Sequence, residues 1–265
     1  MKSPFISVVA ISLAAQFAMP ITVFAQSDRY PAEGGDVVIT PILHASARIE
    51  HAGRVIYVDP WGVADLSSAE PADLILVTDD PSHHFDPDAI DALRKPGAPV
   101  VLNPKSQAQY PSGIALENGA SREFADIRIE AVAAYDMTPG EPYHPKGEAN
   151  SYLISVGGMR LFFSAVGQCV PEVRALENID VAVMPMNLPV DRMRPIPLAE
   201  CLRTFSPDVF YINHYDRPHA NWLEDPDGEY QPYDQDTAAT IRALEEAIEG
   251  LGVEFRDGGW YPPRP

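Results

Sequence analysis

Along residues 37–60 apolar and polar positions fall into short runs broken by turn residues. Val37 to Ile42, "SARIEHAG" and "RVIYVDPW" are predicted strands, with Gly53 at the turn between the second and the third. "ADLILVT", residues 72–78, carries the continuous apolar run Leu74 to Val77, as expected of a strand buried on both faces. Asp86 and Pro87 then supply an N-cap and a first helical position, so "PDAIDALRK" is predicted as a helix. Between strand and helix lies a polar loop, and the stretch "ILVTDDPSHHFDPDAI" places His83 and His84 side by side among Asp79, Asp80 and Asp86. Loops of this kind commonly carry sites.

Further strands are expected at "APVVLN", at "ADIRIEAVAA" and in the hairpin "SYLISVGGMRLFFSA", whose two glycines sit at the turn. Beyond the hairpin the pattern alternates: a helix at "PEVRALE", a strand at "IDVAVMPM", a helix at "PLAECLRTF", a strand at "DVFYINHY", a helix at "TAATIRALEEAIEGL" and a strand at "VEFRDGGWY". An antiparallel first half followed by alternating strands and helices predicts an α/β sandwich, two facing sheets with helices outside. No Gly/Ser linker divides the chain, and the Pro-rich pieces "DDPSHHFDP" and "MNLPVDRMRPIP" read as rim loops.

The N-terminus changes the picture. Lys2 precedes an apolar run that ends at Ala25, before polar "QSDRYPAEGGD", which is the pattern of a signal peptide over residues 1–25. Residues 26–265 are then one mature domain, expected to be periplasmic or secreted, with no membrane span. The formal charge of -19 repels nucleic acid and anionic lipid. Of the two cysteines, Cys169 and Cys201, neither belongs to a C-x-x-C pair; one disulfide and two unpaired, partly buried thiols are both compatible with the sequence.

Several segments, taken in order, resemble landmarks of the metallo-β-lactamase superfamily, and within it the exported, predicted zinc-dependent hydrolases. They are "ILHAS", "IYVDPW", "AAYDMTPGEPYHPKGEANSYLI", "CVPEVRALENIDVAVMPMNLP" and "YINHY". The resemblance implies an αββα sandwich with its site at one rim of the two sheets. It also implies a T-H-x-H-x-D-H motif binding two zinc ions, and here the pattern breaks: Thr78 is followed by Asp79 and Pro81 at the two histidine positions and by His83 at the aspartate position, and His84 alone is retained. Val166 stands where the bridging aspartate belongs, Asp136 where many relatives have His or Asn, and His214 keeps the last ligand position. Pro81 and Val166 carry no ligating atom, so a family-standard two-zinc site is excluded.

The surviving set is uneven. His83, His84 and His214 form a candidate site for one zinc with an open position, whereas Asp79 and Asp136 are a weaker remnant of the other. His44 and His144 match landmarks near the site and are read first as hydrogen-bonded structural histidines, with ligation or substrate contact as the other reading. Asp59 is expected to support the loop, Asp86 to cap the helix, and Tyr135, Glu148, Asn150 and Tyr152 to border the pocket. Cys169, unless bridged, could offer a thiolate, and His51 and His219 read as surface residues.

Two functions follow from these residues. One is an exported hydrolase with a single metal acting on an ester, amide, lactone or phosphoester bond of a small molecule. The other is a metal-free, non-catalytic relative whose rim pocket binds a small molecule or a protein.

Overall fold

A computed structural model describes residues 26–186, 193–229 and 236–264. The leader, residues 1–25, and most of "MNLPVDRM", residues 187–192, lie outside them.

The first seven strands, β1 (Asp28–Tyr30), β2 (Val37–Leu43), β3 (Ser46–His51), β4 (Arg54–Val58), β5 (Leu74–Leu76), β6 (Val100–Leu102) and β7 (Ile114–Ala115), form one sheet in chain order. The next seven form a second: β8 (Ser121–Phe124), β9 (Ile127–Ala134), β10 (Ala149–Val156), β11 (Met159–Phe163), β12 (Val181–Pro185), β13 (Val209–Asn213) and β14 (Glu254–Arg256). Each sheet is antiparallel across its first four strands and parallel across its last four. Two facing mixed sheets with helices outside are thus as expected, and the antiparallel pattern read along the first half of the chain in fact recurs in both sheets, each of which makes the same change of direction.

Alternation along the strands explains the sandwich. In β2, Val37, Ile39 and Leu43 are buried while Thr40 and Ile42 are half-buried, so one face of the strand turns inward. Val37, Ile39 and Ile49 from the first sheet join Tyr152, Phe162, Phe163 and Tyr211 from the second in one core. A second cluster, including Tyr57, Ile75, Ile90 and Leu93, packs helix α1 (Pro87–Leu93) on the other face of the first sheet. The sheets are also tied at the rim, where the Asn150 N–H donates to the Thr78 carbonyl at 2.9 Å. At the β10–β11 turn Gly157 and Gly158 both take positive φ, 56° and 77°, which a two-residue hairpin of matching twist requires.

The other helices are α2 (Pro104–Gln109), α3 (Pro171–Arg174), α4 (Pro195–Phe205), α5 (Arg217–Glu224) and α6 (Thr237–Ile248). The pattern of apolar positions had not marked α2 or α5, and β14 is only three residues of the nine expected for the last strand. Cys169 and Cys201 form a disulfide with a Cα separation of 5.7 Å, which joins the turn before α3 to α4. Among the described residues no helix is long and apolar enough to cross a membrane.

Candidate metal centre

Three of the site's anchors sit just past the ends of strands and turn sharply. His44 follows β2, Asp59 follows β4 and His214 follows β13, with φ of 58°, 45° and 52°. Left-handed backbone in residues other than glycine is costly and persists where surrounding bonds enforce it. Those bonds are present. The His44 N–H donates to Trp260 O at 3.2 Å, the Asp59 N–H to Leu76 O at 2.9 Å, and the His214 N–H to His44 O at 3.0 Å.

His83 and His84 come from the loop before α1, whose N-cap is Asp86. One Asp86 oxygen accepts from the Asp88 and Ala89 N–H groups, and the other accepts from Gly62 at 2.8 Å. Asp86 therefore caps the helix, as expected of it.

Asp59 organises the loop from below. Its Oδ1 accepts from the Thr78 N–H at 2.7 Å, and its Oδ2 accepts from the Thr78 hydroxyl at 2.5 Å and from His84 Nδ1 at 2.7 Å. That bond makes Nδ1 the donor and leaves Nε2 buried and without a hydrogen-bond partner.

His44, His83 and His214 are buried, and one nitrogen of each lies within 4.8 Å of the other two. His44 Nδ1 bonds the Tyr261 hydroxyl at 2.5 Å, while its Nε2 and both nitrogens of His214 are buried without a partner. The His44 and His214 rings are 3.8 Å apart between centroids. His84 stands beside this group, stacked on His214 at 5.3 Å and 12°. The trio thus includes His44, read first from the sequence as structural, with His84 next to it. Burial, reinforced by the neighbouring histidines and by Arg217, holds His44 and His214 far below the ordinary histidine range, and His83 likewise. All three are neutral at pH 7, which is the ligating form of imidazole.

At the positions expected to hold the other metal, His144 lies between two carboxylates, while Asp79 Oδ2 has no hydrogen bond. His144 Nε2 lies 3.1 Å from Asp79 Oδ2, and the His144 N–H donates to Asp136 Oδ2 at 2.8 Å. Burial alone would raise the Asp79 carboxyl, but the close His144 ring and the nearby His84 and His144 charges outweigh it and hold it below its usual range. Val166 is buried in the core. An Asp–His–Asp set therefore takes the place of one ion, and the donors fit one metal, not two.

The remaining candidates have other partners. The Tyr135 hydroxyl donates to Glu172 at 3.2 Å under Lys146, Glu148 pairs with Lys105 at 2.8 Å, Asn150 Nδ2 donates to Leu116 O, and the Tyr152 hydroxyl donates to Val77 O. Cys169 is in the disulfide and has no thiolate to give. His51 and His219, expected at the surface, are 5% and 0% exposed. His51 packs against Gly157, where an added Cβ would meet its ring at 2.7 Å, and His219 stacks on Tyr261 at 5.5 Å.

Two contributors were missed in the sequence, Tyr261 and Arg217. Arg217 Nη1 lies 2.9 Å from His83 Nε2, and its Nε donates to Asn221 at 2.8 Å. The signal for its helix was present: Asp216 precedes Arg217 and Pro218 and caps α5 by accepting from the His219 N–H, the same Asp-before-Pro start that marked α1.

Residues 38–204 match the family model described as a beta-lactamase superfamily domain. A candidate metal-dependent hydrolase from Parabacteroides distasonis is 30% identical with a TM-score of 0.76, the match covering 88% of this chain and 98% of that one. A metallo hydrolase from Ignicoccus hospitalis is 18% identical with a TM-score of 0.64, over 83% and 94% of the two chains. The diiron beta-hydroxylase of Streptomyces venezuelae shares the fold at 13% identity and a TM-score of 0.65, over 86% of this chain and 53% of that one. No curated protein matches the sequence. The family model and the Parabacteroides relative, together with the two facing seven-stranded sheets, show that this chain belongs to the metallo-β-lactamase superfamily.

Proposed function

We propose that this protein is an exported hydrolase that works with one divalent metal, zinc being the ion best suited to an all-imidazole set. The observation that carries the reading is the trio His44, His83 and His214: buried, neutral, and with donor nitrogens converging within 4.8 Å. The unpartnered buried nitrogens of His44 and His214 are costly to maintain, and a metal ligand role accounts for keeping them beside His83.

When bound there, the ion supplies Lewis acidity toward a carbonyl or phosphoryl oxygen. The chain's own residues supply the rest. Tyr261, bonded to His44 Nδ1, fixes that ring and leaves its Nε2 without a protein partner, and Asp59 likewise fixes the neighbouring His84 through Nδ1. His144 Nε2 lies against Asp79 Oδ2, and Trp61, buried with its ring 6.2 Å from His83, covers one side of the trio. The bond cleaved is an ester, amide, lactone or phosphoester of a small molecule. Export is supported by the disulfide, which persists in oxidising compartments.

The test is hydrolysis of a panel of nitrophenyl esters, lactones, amides and phosphodiesters by the zinc-loaded protein. Turnover abolished by a chelator, restored by zinc and absent from His44→Ala supports the reading. No turnover above buffer on any of the four bond classes, with metal bound, leaves the non-catalytic binding module.

A further inference from the structure

Arg217 stands at the histidine trio without a counter-ion. Its two described partners are neutral acceptors, His83 Nε2 and Asn221 Oδ1, and among the described residues no carboxylate pairs with it. In a chain of net charge -19 an unpaired guanidinium beside a buried site is unexpected, because acidic partners are plentiful.

The chemistry of imidazole makes this contact consequential. A neutral histidine has one nitrogen with a lone pair and one with a proton. The guanidinium can only donate, so its bond at 2.9 Å uses the lone pair of His83. Ligation needs that same lone pair. If the metal took Nε2, Arg217 would be displaced directly; if it took Nδ1, the proton would move to Nε2, which could then no longer accept from Arg217. Whichever nitrogen binds, the Arg217–His83 bond and metal ligation by His83 exclude each other. Like charge between the guanidinium and the ion adds to the opposition.

We propose that Arg217 is a latch on the metal site, released by an oxyanion. The inference rests on the single-metal reading above. Once off His83, the guanidinium presents paired donors that match a carboxylate, sulfate or phosphate group. An oxyanion that engages it removes the competitor from His83 and offsets its charge, so metal and oxyanion bind with positive coupling, each raising the affinity of the other by the same factor. Substrates carrying an oxyanion near the scissile bond are therefore the class this site favours.

The test is zinc affinity, measured by competition with a chromophoric chelator at constant ionic strength, in chloride and with sulfate as the probe anion. Arg217→Met keeps the aliphatic stem and removes the charge; Arg217→Gln is the second neutral variant, and circular dichroism confirms the fold of each. Both variants are expected to bind zinc at least about tenfold more tightly than the parent in chloride, the order set by one unit of like charge beside the ion. Sulfate is expected to raise the affinity of the parent and leave that of the variants unchanged. Equal affinity of parent and variants, or a sulfate effect of the same size in all three, overturns the latch while the metal reading stands. Failure of parent and variants alike to bind zinc overturns the metal reading and the latch with it.

Discussion

The backbone N–H of His214 donates to the carbonyl of His44 at 3.0 Å, and this bond joins the rim of one sheet to the rim of the other at the point where two candidate ligands stand. Each residue closes a core strand in the left-handed region, so each side chain is aimed by its strand and by the other's backbone.

Replacing His214 with Ala keeps that backbone bond and removes one ligand. The parent is expected to gain roughly 2.7 kcal/mol of stability from zinc at a hundredfold excess over its Kd. His214→Ala should gain none. Thermal melting with zinc and with chelator reads the difference, and an equal zinc shift in both proteins would contradict the assignment of His214.

Asp59→Ala leaves the Thr78 N–H, the Thr78 hydroxyl and His84 Nδ1 without their buried acceptor. Each abandoned donor costs about 1–3 kcal/mol, so a loss of roughly 3 kcal/mol or more is expected in urea unfolding. Asp59→Asn keeps an oxygen for Thr78 and should lose less. A loss below about 1 kcal/mol for Asp59→Ala would show that Asp59 does not hold the loop.

Acid should destabilise the metal-free protein through the trio. His44, His83 and His214 have folded pKa values depressed below the ordinary 6.5. Above that value neither state is protonated at these rings and no stability is lost. As pH falls below about 6.5 the unfolded chain takes up protons that the folded chain refuses, and each histidine removes up to about 1.4 kcal/mol per pH unit. Denaturant midpoints between pH 7.5 and 5 should fall in the parent and fall less steeply in His44→Ala. Parallel profiles would contradict the depressed values.

The Cys169–Cys201 bridge spans 32 residues of sequence. Cys169→Ser with Cys201→Ser is expected to cost roughly 2–4 kcal/mol, chiefly by loosening the unfolded chain. Urea unfolding of the double variant checks this, and a parent that is no less stable under reductant would show the bridge to be idle.

Most strands and helices could be read from apolar runs and caps because those signals are local. The two facing sheets could be read as well, but not which strands pair within each, since pairing is decided by which runs meet in space; the parallel pairings of β4 with β5 and β11 with β12 leave no turn between them to mark the change. At the site, His83, His84, His214 and the role of Asp59 were legible as departures from, or survivals of, a known spacing. His44 was visible as a landmark, but its convergence on His83 and His214 depends on three separate strand ends and loops. Arg217 was hidden because its helix start went unread, and a cation is not sought beside metal ligands. His51 and His219 went astray because a histidine bracketed by polar residues resembles a surface residue until the packing of Gly157 and Tyr261 is known.

The central claim is that one metal is held by His44, His83 and His214. Elemental analysis of the protein after zinc-supplemented purification and dialysis tests it most directly. About one zinc per chain in the parent, and none in His44→Ala or His214→Ala that remain folded, is the expected result. Two zinc ions per chain, none at all, or one retained by both variants would contradict it.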